Sequence, residues 1–387
     1  MHKIIRSFAL VLTVVPTLLF AQKAPKGPCP ENIQEQVEIA MESLKKLKSL
    51  EHLHELKSLS HLHELSELRH LQNLPPMEQV TPNQNNPTEA EVIFNAEKTK
   101  TFDKTYKVSK SDVLAIENKF GKVHVNTWNK NEIRVKVDII GRASDDKRAQ
   151  EILDNIKIIE SKSGDRILVK TEMGKMNISG NSKKSFEINY TIHMPNDNDL
   201  AIKNSFGDVY LPDFKGKTDL NIRYGSLKAQ RMDNVGNKLT IAFGNGNCSY
   251  MNKGNINISY SDFTLGSANG VQGSSKFSEF KIGTLAEVLN LDMKYGSLKV
   301  DNISKSMQKI DLLSGFSPVT LNFEDNTAFD FDVNVQFGDF NVRKELVNIT
   351  SLEKNHTSAE YKGKFGSSSA KGVVNITSKY GDVRFTK

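Results

Sequence analysis

The feature that most constrains this chain is a short motif that recurs along its C-terminal half. An aromatic residue, a glycine, a small polar residue and an aliphatic residue follow a run of alternating apolar residues. The complete copies are Phe206-Gly207-Asp208-Val209, Tyr224-Gly225-Ser226-Leu227, Tyr295-Gly296-Ser297-Leu298, Phe337-Gly338-Asp339-Phe340 and Tyr380-Gly381-Asp382-Val383. Degenerate copies begin at Phe243, Tyr260, Phe277, Phe316 and Phe365. Successive aromatic residues are mostly 17 to 21 residues apart, and such a period is typical of a solenoid.

Each copy also predicts a corner in the chain. Leu220, Ile222 and Tyr224 occupy even positions, whereas Leu227 and Ala229 after the glycine occupy odd ones. Such a slip in a straight strand would turn every later side chain to the opposite face. We therefore expect two short strands around a bend, with the glycine supplying the backbone angles of the corner. The aliphatic residues and the aromatic residue are expected to point inward.

A coil of this kind can bury its apolar face only against neighbouring coils. The sequence therefore predicts an all-β, single-stranded parallel β-solenoid over residues 196–387, with coils about 4.8 Å apart. Only Pro195, Pro212 and Pro318 lie beyond residue 95. Because proline cannot donate to a strand ladder, this scarcity favours a chain that is mostly paired strand. A β-sandwich or an antiparallel barrel is the alternative architecture.

The N-terminal residues 1–21 are typical of an export signal. Lys3 and Arg6 precede an apolar run from Phe8 to Phe20, and Ala21 offers a cleavage site before Gln22. The run has 13 residues, too few for a helix that spans a bilayer, and no later stretch is longer and as apolar. We therefore expect an exported protein in the periplasm, at the outer surface or secreted, without a transmembrane segment after cleavage.

Residues 22–95 predict a helical leader followed by a linker, with prolines at both ends of the helix. Leucines recur at every third position from Leu44 to Leu74. Since a helix advances about 100° per residue, this stripe winds around the helix instead of forming one face. The pattern predicts self-association through residues 44–74 or docking to a partner there. The alternative is an expanded simple repeat that forms a mobile helix.

The leader also carries most of the histidines, but their spacing argues against a metal site. Five of the nine histidines lie there, and no two are three or four residues apart, the spacing that places ligands on adjacent turns. We therefore expect no metal and no cofactor. The five residues are His52, His54, His61, His63 and His70.

Residues 96–195 predict a less regular β region that caps one end of the solenoid. Strands are expected from about Thr101, with a first copy of the motif at Phe120-Gly121. Asp145 and Asp146 open a predicted helix over 144–156, since acidic residues favour a helix N-terminus. Further strands are expected at 133–140, 166–171 and 186–194.

Superposing the copies produces two outward columns of side chains. The residue before the aromatic is often basic, as in Lys276 and Lys294, whereas the second residue after it is often acidic, as in Asp208 and Asp382. One interpretation is a solvated surface on which neighbouring opposite charges offset the repulsion within each column. The other interpretation is a striped face that binds an acidic glycan or another envelope polymer.

Nothing in the sequence marks a catalytic site, and no catalytic, cofactor-binding or metal-binding residue is assigned. A polysaccharide-cleaving enzyme needs carboxylates that converge in one cleft, whereas Asp208, Asp262, Asp339 and Asp382 are scattered over many copies.

Without Lys3 and Arg6 the formal net charge falls from +6 to +4, which does not indicate nucleic acid. Two cysteines, Cys29 and Cys248, exclude a disulfide framework and leave one bridge open.

Residues 113–125 and 133–137, followed by the serial aromatic–glycine steps, resemble the bacterial putative-adhesin family. The resemblance covers residues 100–387, and the Phe20-Ala21 pair before Gln22 is similar to that of secreted Bacteroidetes proteins. It implies a β-solenoid at the cell envelope and carries over no catalytic residues. The leader departs from the family's pattern.

The sequence therefore predicts a non-enzymatic exported envelope protein, an adhesin whose rigid solenoid binds a protein or a glycan. The alternative is a periplasmic scaffold or an envelope-stress component that docks a partner through its leader. A glycan-active enzyme is the third hypothesis.

Overall fold

The structure is a computed structural model, and it describes residues 94–174 and 184–387. The predictions for the export signal (1–21) and for the helical leader and its linker, up to residue 93, lie outside the described residues. They remain predictions.

The described part of the chain is all-β, as predicted, and forms one 22-stranded sheet with a short helix. The first strands are β1 (Ala96–Lys107), β2 (Val113–Lys119), β3 (Val123–Thr127), β4 (Glu132–Ala143), β5 (Ile156–Ser163), β6 (Arg166–Met173) and β7 (Ser185–Met194), with helix α1 (Asp146–Asp154) between β4 and β5. The middle strands are β8 (Asp199–Ser205), β9 (Val209–Leu211), β10 (Thr218–Arg223), β11 (Ser226–Met232), β12 (Asn237–Lys276), β13 (Glu279–Lys294), β14 (Ser297–Ile303), β15 (Lys309–Gly315) and β16 (Val319–Phe323). The last strands are β17 (Phe329–Gln336), β18 (Phe340–Asn341), β19 (Val347–Lys354), β20 (Ser358–Phe365), β21 (Gly372–Lys379) and β22 (Val383–Thr386), with a 3₁₀ turn at Lys344–Leu346.

The central strands pair in parallel, and each turn of the chain lies on the previous one. Partners from β8 to β16 are 17 to 21 residues apart in sequence, as in Leu200 with Thr218 and Phe263 with Phe280. β12 is so long because it passes through two corners without losing its pairing. Each turn of chain is called a coil below.

The aliphatic side chains point inward, as the alternation predicted. Leu220, Ile222, Leu227 and Ala229 are at most 3% exposed, and they join one core cluster that continues from β2 to β22. Burial of such side chains contributes about 25 cal/mol per Å² of apolar surface, so this continuous interior is what holds the coils together.

The sheet is mixed, which differs from the wholly parallel fold that the sequence predicted. At the N-terminal end β4 pairs antiparallel with β1 and β7, and β5 pairs antiparallel with β6. β1 begins at Ala96, before the predicted start near Thr101. The burial pattern of β1 is mostly exposed, so its sequence shows little of the alternation that marks a half-buried strand.

The helix predicted over 144–156 is present as α1. Asp145 is its N-cap, and the carboxylate accepts the backbone N–H of Arg148 at 2.9 Å. Ala149, Ile152 and Leu153 are buried. The amphipathic pattern of this short helix therefore packs into the same core as the strands.

The C-terminal coil lies out of sequence order. β21 pairs in parallel with β15 on one side and with β17 on the other, so the last coil is inserted between two earlier ones. β20 then pairs antiparallel with β17, and β19 with β20. The copy predicted at Phe365-Gly366 is therefore wrong. Phe365 is buried in β20, where it stacks on Phe329 in the core.

Acidic side chains of the N-terminal part are held in their charged form by the groups they contact. Arg142 donates to Glu187 at 2.7 Å and lowers the pKa of that carboxyl, with a further hydrogen bond from Asn189. The backbone N–H of Ser109 donates to Asp112 at 2.6 Å and lowers the pKa of Asp112.

We expect the protein to lose stability in acid for this reason. A carboxyl with a lowered pKa in the folded state stabilises the fold above its unfolded pKa of about 4, and the contribution is lost as the pH falls below that value. The melting temperature should be constant from about pH 7 to pH 5 and fall below about pH 4. Thermal melts over that range test this, and Glu187→Gln should flatten the fall. A wild-type profile unchanged down to pH 3 would contradict the expectation.

Candidate functional site

Ten aromatic rings form one continuous stack along the coils, called the ring file here. Successive ring centroids are 4.5 to 5.1 Å apart and successive planes differ by 2 to 11°. In spatial order the rings belong to Phe120, Phe206, Tyr224, Phe243, Tyr260, Phe277, Tyr295, Phe316, Tyr380 and Phe337. The file is the column of aromatic residues that the motif predicted, with Tyr380 placed before Phe337 by the inserted coil.

The rings point outward, which corrects the inward orientation expected from the sequence. Every residue of the file is 36 to 52% exposed. Every one also has a left-handed backbone, with φ between 50 and 61°. This conformation costs a residue with a Cβ about 1–2 kcal/mol. It turns the ring out of the coil and along the stack, where each inner ring packs between two others.

The corner glycines serve a different purpose from the one predicted. None of the glycines that follow the rings has a positive φ. Instead, a Cβ on Gly225 would lie 2.1 Å from the carbonyl oxygen of Gly207 on the coil below, and on Gly244 it would lie 1.9 Å from that of Gly225. Glycine is needed here because two backbones approach too closely for a side chain, while the aromatic residue supplies the corner's unusual angles.

Three coils carry serine in place of this glycine, at Ser261, Ser278 and Ser317. Each hydroxyl accepts the N–H of the corner residue on the neighbouring coil, at 3.0 to 3.2 Å. Each also donates to the carbonyl two residues earlier, at 2.7 to 3.0 Å. A hydroxyl at the corner thus becomes part of the contact between coils.

The stacking determines which part of each ring a ligand can reach. Because neighbouring rings cover both faces of an inner ring, only the ring edges meet solvent. At the N-terminal end, the edge of Phe186 packs against Phe120 at 5.3 Å and 71°. The faces of the inner rings are therefore not offered for stacking on a flat ligand. The file is instead an apolar ridge about 43 Å long, from nine steps of about 4.8 Å.

The two predicted columns of polar side chains flank this ridge. The residue before each ring forms the basic column, and the second residue after it forms the acidic column. In spatial order the basic column is Lys119, Ser205, Arg223, Ala242, Ser259, Lys276, Lys294, Gly315, Lys379 and Gln336. The acidic column is Lys122, Asp208, Ser226, Asn245, Asp262, Glu279, Ser297, Pro318, Asp382 and Asp339. Lys364 does not join the basic column, because it lies in β20 opposite Asp330.

The charges of the two columns do not meet within the molecule. Among the described residues, ion pairs form elsewhere, as between Lys281 and Asp301 at 3.0 Å and between Lys253 and Glu287 at 2.9 Å. None joins the basic column to the acidic column. The interpretation of a solvated surface, on which neighbouring opposite charges offset the repulsion within each column, stays a prediction.

Asp208 shows how an acidic side chain of the column is held. Partial burial alone would raise the pKa of Asp208, but the hydroxyl and the N–H of Ser226 donate to it at 2.6 and 3.0 Å. The pKa of Asp208 is therefore lowered, and the carboxylate stays charged at neutral pH. Asp382 similarly accepts the N–H of Asp339 at 3.0 Å.

A shallow hollow of about 270 Å³ lies at the N-terminal end of the ridge. Phe120, Phe186 and Phe206 provide its apolar wall, and Lys122, Glu187 and Asp208 provide its charges. Phe186 was not identified from the sequence, because it stands outside the motif. Its signal was only an aromatic residue in a strand of the capping region.

The remaining chemistry of the described residues is sparse. Among residues 94–174 and 184–387, no group of three or more His, Cys, Asp or Glu side chains could hold a metal ion. No helix within those ranges is both long and apolar enough to cross a membrane. Cys248 is a buried thiol whose pKa is raised to about 12 by burial, and Cys29 lies outside the described residues.

Comparison with known proteins gave structural neighbours only. No protein-family model matches the chain, and no curated protein matches it. A putative adhesin from Bacteroides fragilis is 12% identical, with a TM-score of 0.36, and the match covers 74% of this chain and 97% of that one. A putative adhesin from Parabacteroides distasonis is 9% identical, with a TM-score of 0.35 and the same coverage of both chains.

A further neighbour, a putative lipid binding protein from Parabacteroides distasonis, is 10% identical with a TM-score of 0.30. The match covers 74% of this chain and 97% of that one. The structures to which this chain is similar thus include putative adhesins of Bacteroides and Parabacteroides, the family that its aromatic–glycine motif resembles.

Proposed function

We propose that this chain is a non-enzymatic, exported protein of the cell envelope, an adhesin that binds its partner through the ring file. The observation that carries the proposal is the file itself, in which ten half-exposed aromatic rings form one unbroken apolar ridge. Large exposed apolar patches with polar rims are typical of interaction surfaces. The charged columns on both sides of the ridge provide such a rim.

The parallel part of the sheet supports the rigid β-solenoid that the proposal needs. Its partners repeat at 17 to 21 residues, which is one coil. Backbone hydrogen bonds, ring stacking and the close approach of the corner glycines all connect the same pairs of coils. Since three kinds of contact would have to change together, we infer that the surface binds as a preformed whole, with little entropy lost on ordering.

The chemistry along the ridge favours binding over catalysis. The carboxylates of the acidic column follow the full length of the file, at Asp208, Asp262, Glu279, Asp382 and Asp339. Hydrolysis of a glycosidic bond uses two carboxyl groups that flank one scissile bond. An extended series of single charges is suited instead to contacting a partner over many coils.

Export is tested directly by the N-terminus of the mature protein. We expect mass spectrometry of the chain from its native cells to find Gln22 as the first residue, because cleavage after Ala21 removes the apolar run. Fractionation should place the protein outside the cytoplasm, and protease treatment of intact cells should degrade it. A chain that keeps Met1, or that resists protease until the cells are lysed, would contradict an adhesin.

The binding role of the ridge is tested with beads that carry the mature chain. We expect such beads to attach to intact cells. Tyr224→Ser with Tyr295→Ser, in a chain that circular dichroism shows to be folded, should reduce attachment at least about fivefold, because about 1 kcal/mol of contact is lost. Leu313→Ser is the matched control, since Leu313 is 58% exposed and lies outside the ring file. Equal attachment by the Tyr224→Ser, Tyr295→Ser variant and by the control would contradict the proposal.

A further inference from the structure

We propose that the partner of the ring file is a second copy of this chain, held side by side with both stacks of coils pointing in the same direction. The inference rests on the proposed function and adds the identity of the partner. It is drawn from the area of the ridge and from the geometry of its two charged columns.

The area of the ridge meets the requirement for a specific dimer. An aromatic side chain offers on the order of 200 Å², so ten half-exposed rings leave roughly 900 Å² open to solvent. A stable interface buries about 800 Å² on each partner. The ring edges alone reach that size, before the flanking columns are counted.

The order of the columns makes the surface complementary to itself. The chain passes every corner in the same direction, so the basic column always lies on one side of the ridge and the acidic column on the other. A two-fold axis parallel to the stack exchanges left and right between two facing copies. The basic column of one copy then faces the acidic column of its partner, as the isologous interface of a symmetric dimer requires.

The same axis keeps each coil level with its own copy, and two pairs of opposite charge then coincide. Lys276 would face the partner's Glu279, and Lys379 would face the partner's Asp382, each at one level of the stack. Arg223 would stand one coil from the partner's Asp208. Within the part of the chain that the structure describes, none of these side chains forms an ion pair, so the dimer would supply their counter-charges.

Other occupants fit these charges less well. A two-fold axis perpendicular to the stack would place basic column on basic column, and like charges in juxtaposition oppose association. A linear polyanion along the basic column would run beside the carboxylates of Asp262, Glu279 and Asp382. A parallel second copy places opposite charges together at Lys276 and at Lys379, against one like-charge pair, Lys119 with the partner's Lys122, at the N-terminal end of the ridge.

The oligomeric state of the full-length mature chain tests the proposal. Sedimentation equilibrium should show a dimer at micromolar concentration that weakens as salt is raised. Lys276→Glu should raise the dissociation constant about tenfold, because two-fold symmetry repeats the repulsion at two places. Adding Glu279→Lys to that variant should restore the dimer, since the exchanged charges again face each other.

A matched control has the same charge change away from the ridge. Lys238→Glu replaces an exposed lysine in β12, five residues from Phe243 and therefore about 16 Å along the strand. It should leave the dissociation constant unchanged. Circular dichroism establishes that all variants are folded. A chain that is monomeric at 100 µM would overturn the proposal. So would a dimer that Lys276→Glu does not weaken, which is the result expected if the chain associates through residues 44–74.

Crosslinking reports the orientation of the two copies. Equal amounts of ¹⁴N- and ¹⁵N-labelled chain are mixed and treated with a carbodiimide, which joins a lysine to a carboxylate in contact. Mixed-isotope crosslinks from Lys276 to Glu279 and from Lys379 to Asp382 are expected. Mixed-isotope crosslinks that join only side chains outside the two columns would overturn the parallel arrangement.

The failure of this inference can be told apart from the failure of the proposed function. If the chain is monomeric and its beads still attach to cells through the ridge, the second copy is not the partner, but the adhesin proposal stands. If the chain dimerises through the ridge but keeps Met1 and stays in the cytoplasm, the second copy is the partner and the adhesin proposal is contradicted.

Discussion

Gly225→Ala should destabilise the protein by about 4 kcal/mol, near the upper end of single-residue effects. The new Cβ would lie 2.1 Å from the carbonyl oxygen of Gly207, and backbone cannot move aside as a side chain can. Separating the two coils by about 1 Å would stretch the ladder on both sides of the corner, including the bond from the N–H of Phe206 to the carbonyl of Arg223 at 2.9 Å. Chemical denaturation followed by circular dichroism measures the loss.

A matched glycine in the same stack provides the control. A Cβ on Gly315 would meet only ordinary contacts, with the side chain of Lys294 and the carbonyl of Met293 at 3.8 Å. Gly315→Ala should therefore be neutral or stabilising by about 0.5 kcal/mol, through the lower entropy of the unfolded chain. Gly225→Ser should be milder than Gly225→Ala, because a serine hydroxyl can join the coil contact as Ser261 does. Equal effects at positions 225 and 315 would contradict the close-approach argument.

Tyr260→Ala should cost about 3 kcal/mol, the second largest effect that we expect. Tyr260 stacks on Phe243 at 5.0 Å and on Phe277 at 4.8 Å. Each such contact contributes about 0.5–1.5 kcal/mol beyond the burial of area, and the apolar burial of the ring is lost as well. The alanine would also keep the left-handed backbone, with φ of 50° in the native protein.

Glycine at the same position should be less harmful than alanine. Tyr260→Gly loses the same ring but relieves about 1–2 kcal/mol of backbone strain, against about 0.5–1 kcal/mol of extra chain entropy. It should therefore be more stable than Tyr260→Ala by about 0.5–1 kcal/mol.

Leu313, which is exposed in β15 and has no positive φ, should show the reverse order, with alanine the better replacement. Thermal or urea unfolding of the four variants decides the matter. If alanine is the better replacement at both positions, the strain assigned to the rings is wrong.

Several features of the fold could be read from the residues alone. The alternation of Leu220 and Ile222, and its change of parity at Leu227, identified the inward residues and the corner. The recurring aromatic residue identified every member of the ring file, with Phe365 as one false copy. These features are local, because the chirality of the chain and the two-residue period of a strand act on each segment whatever its neighbours are.

Other features depended on residues that are distant in sequence. The outward direction of the rings follows from a ring on the next coil being available to stack. The role of Gly225 depends on the carbonyl of Gly207, which lies on the coil below it. Neither fact is visible within one copy of the motif, so an inward ring and a conformationally flexible glycine were the natural predictions from a single repeat.

The position of the last coil could not be predicted from the sequence for the same reason. Residues 380–383 carry a complete motif, and nothing in that motif places Tyr380 between Phe316 and Phe337. The antiparallel hairpin of β19 and β20 covers one side of β17, so the returning strand β21 pairs on the other side.

The sequence by itself determined the all-β class, the period of the coils and the line of aromatic residues, because each depends on spacing along the chain. Only the tertiary structure decided which way the rings face, in what order the coils stack and that the flanking charges stay apart. Those properties arise from contacts between coils, whose energies depend on how separate segments come together.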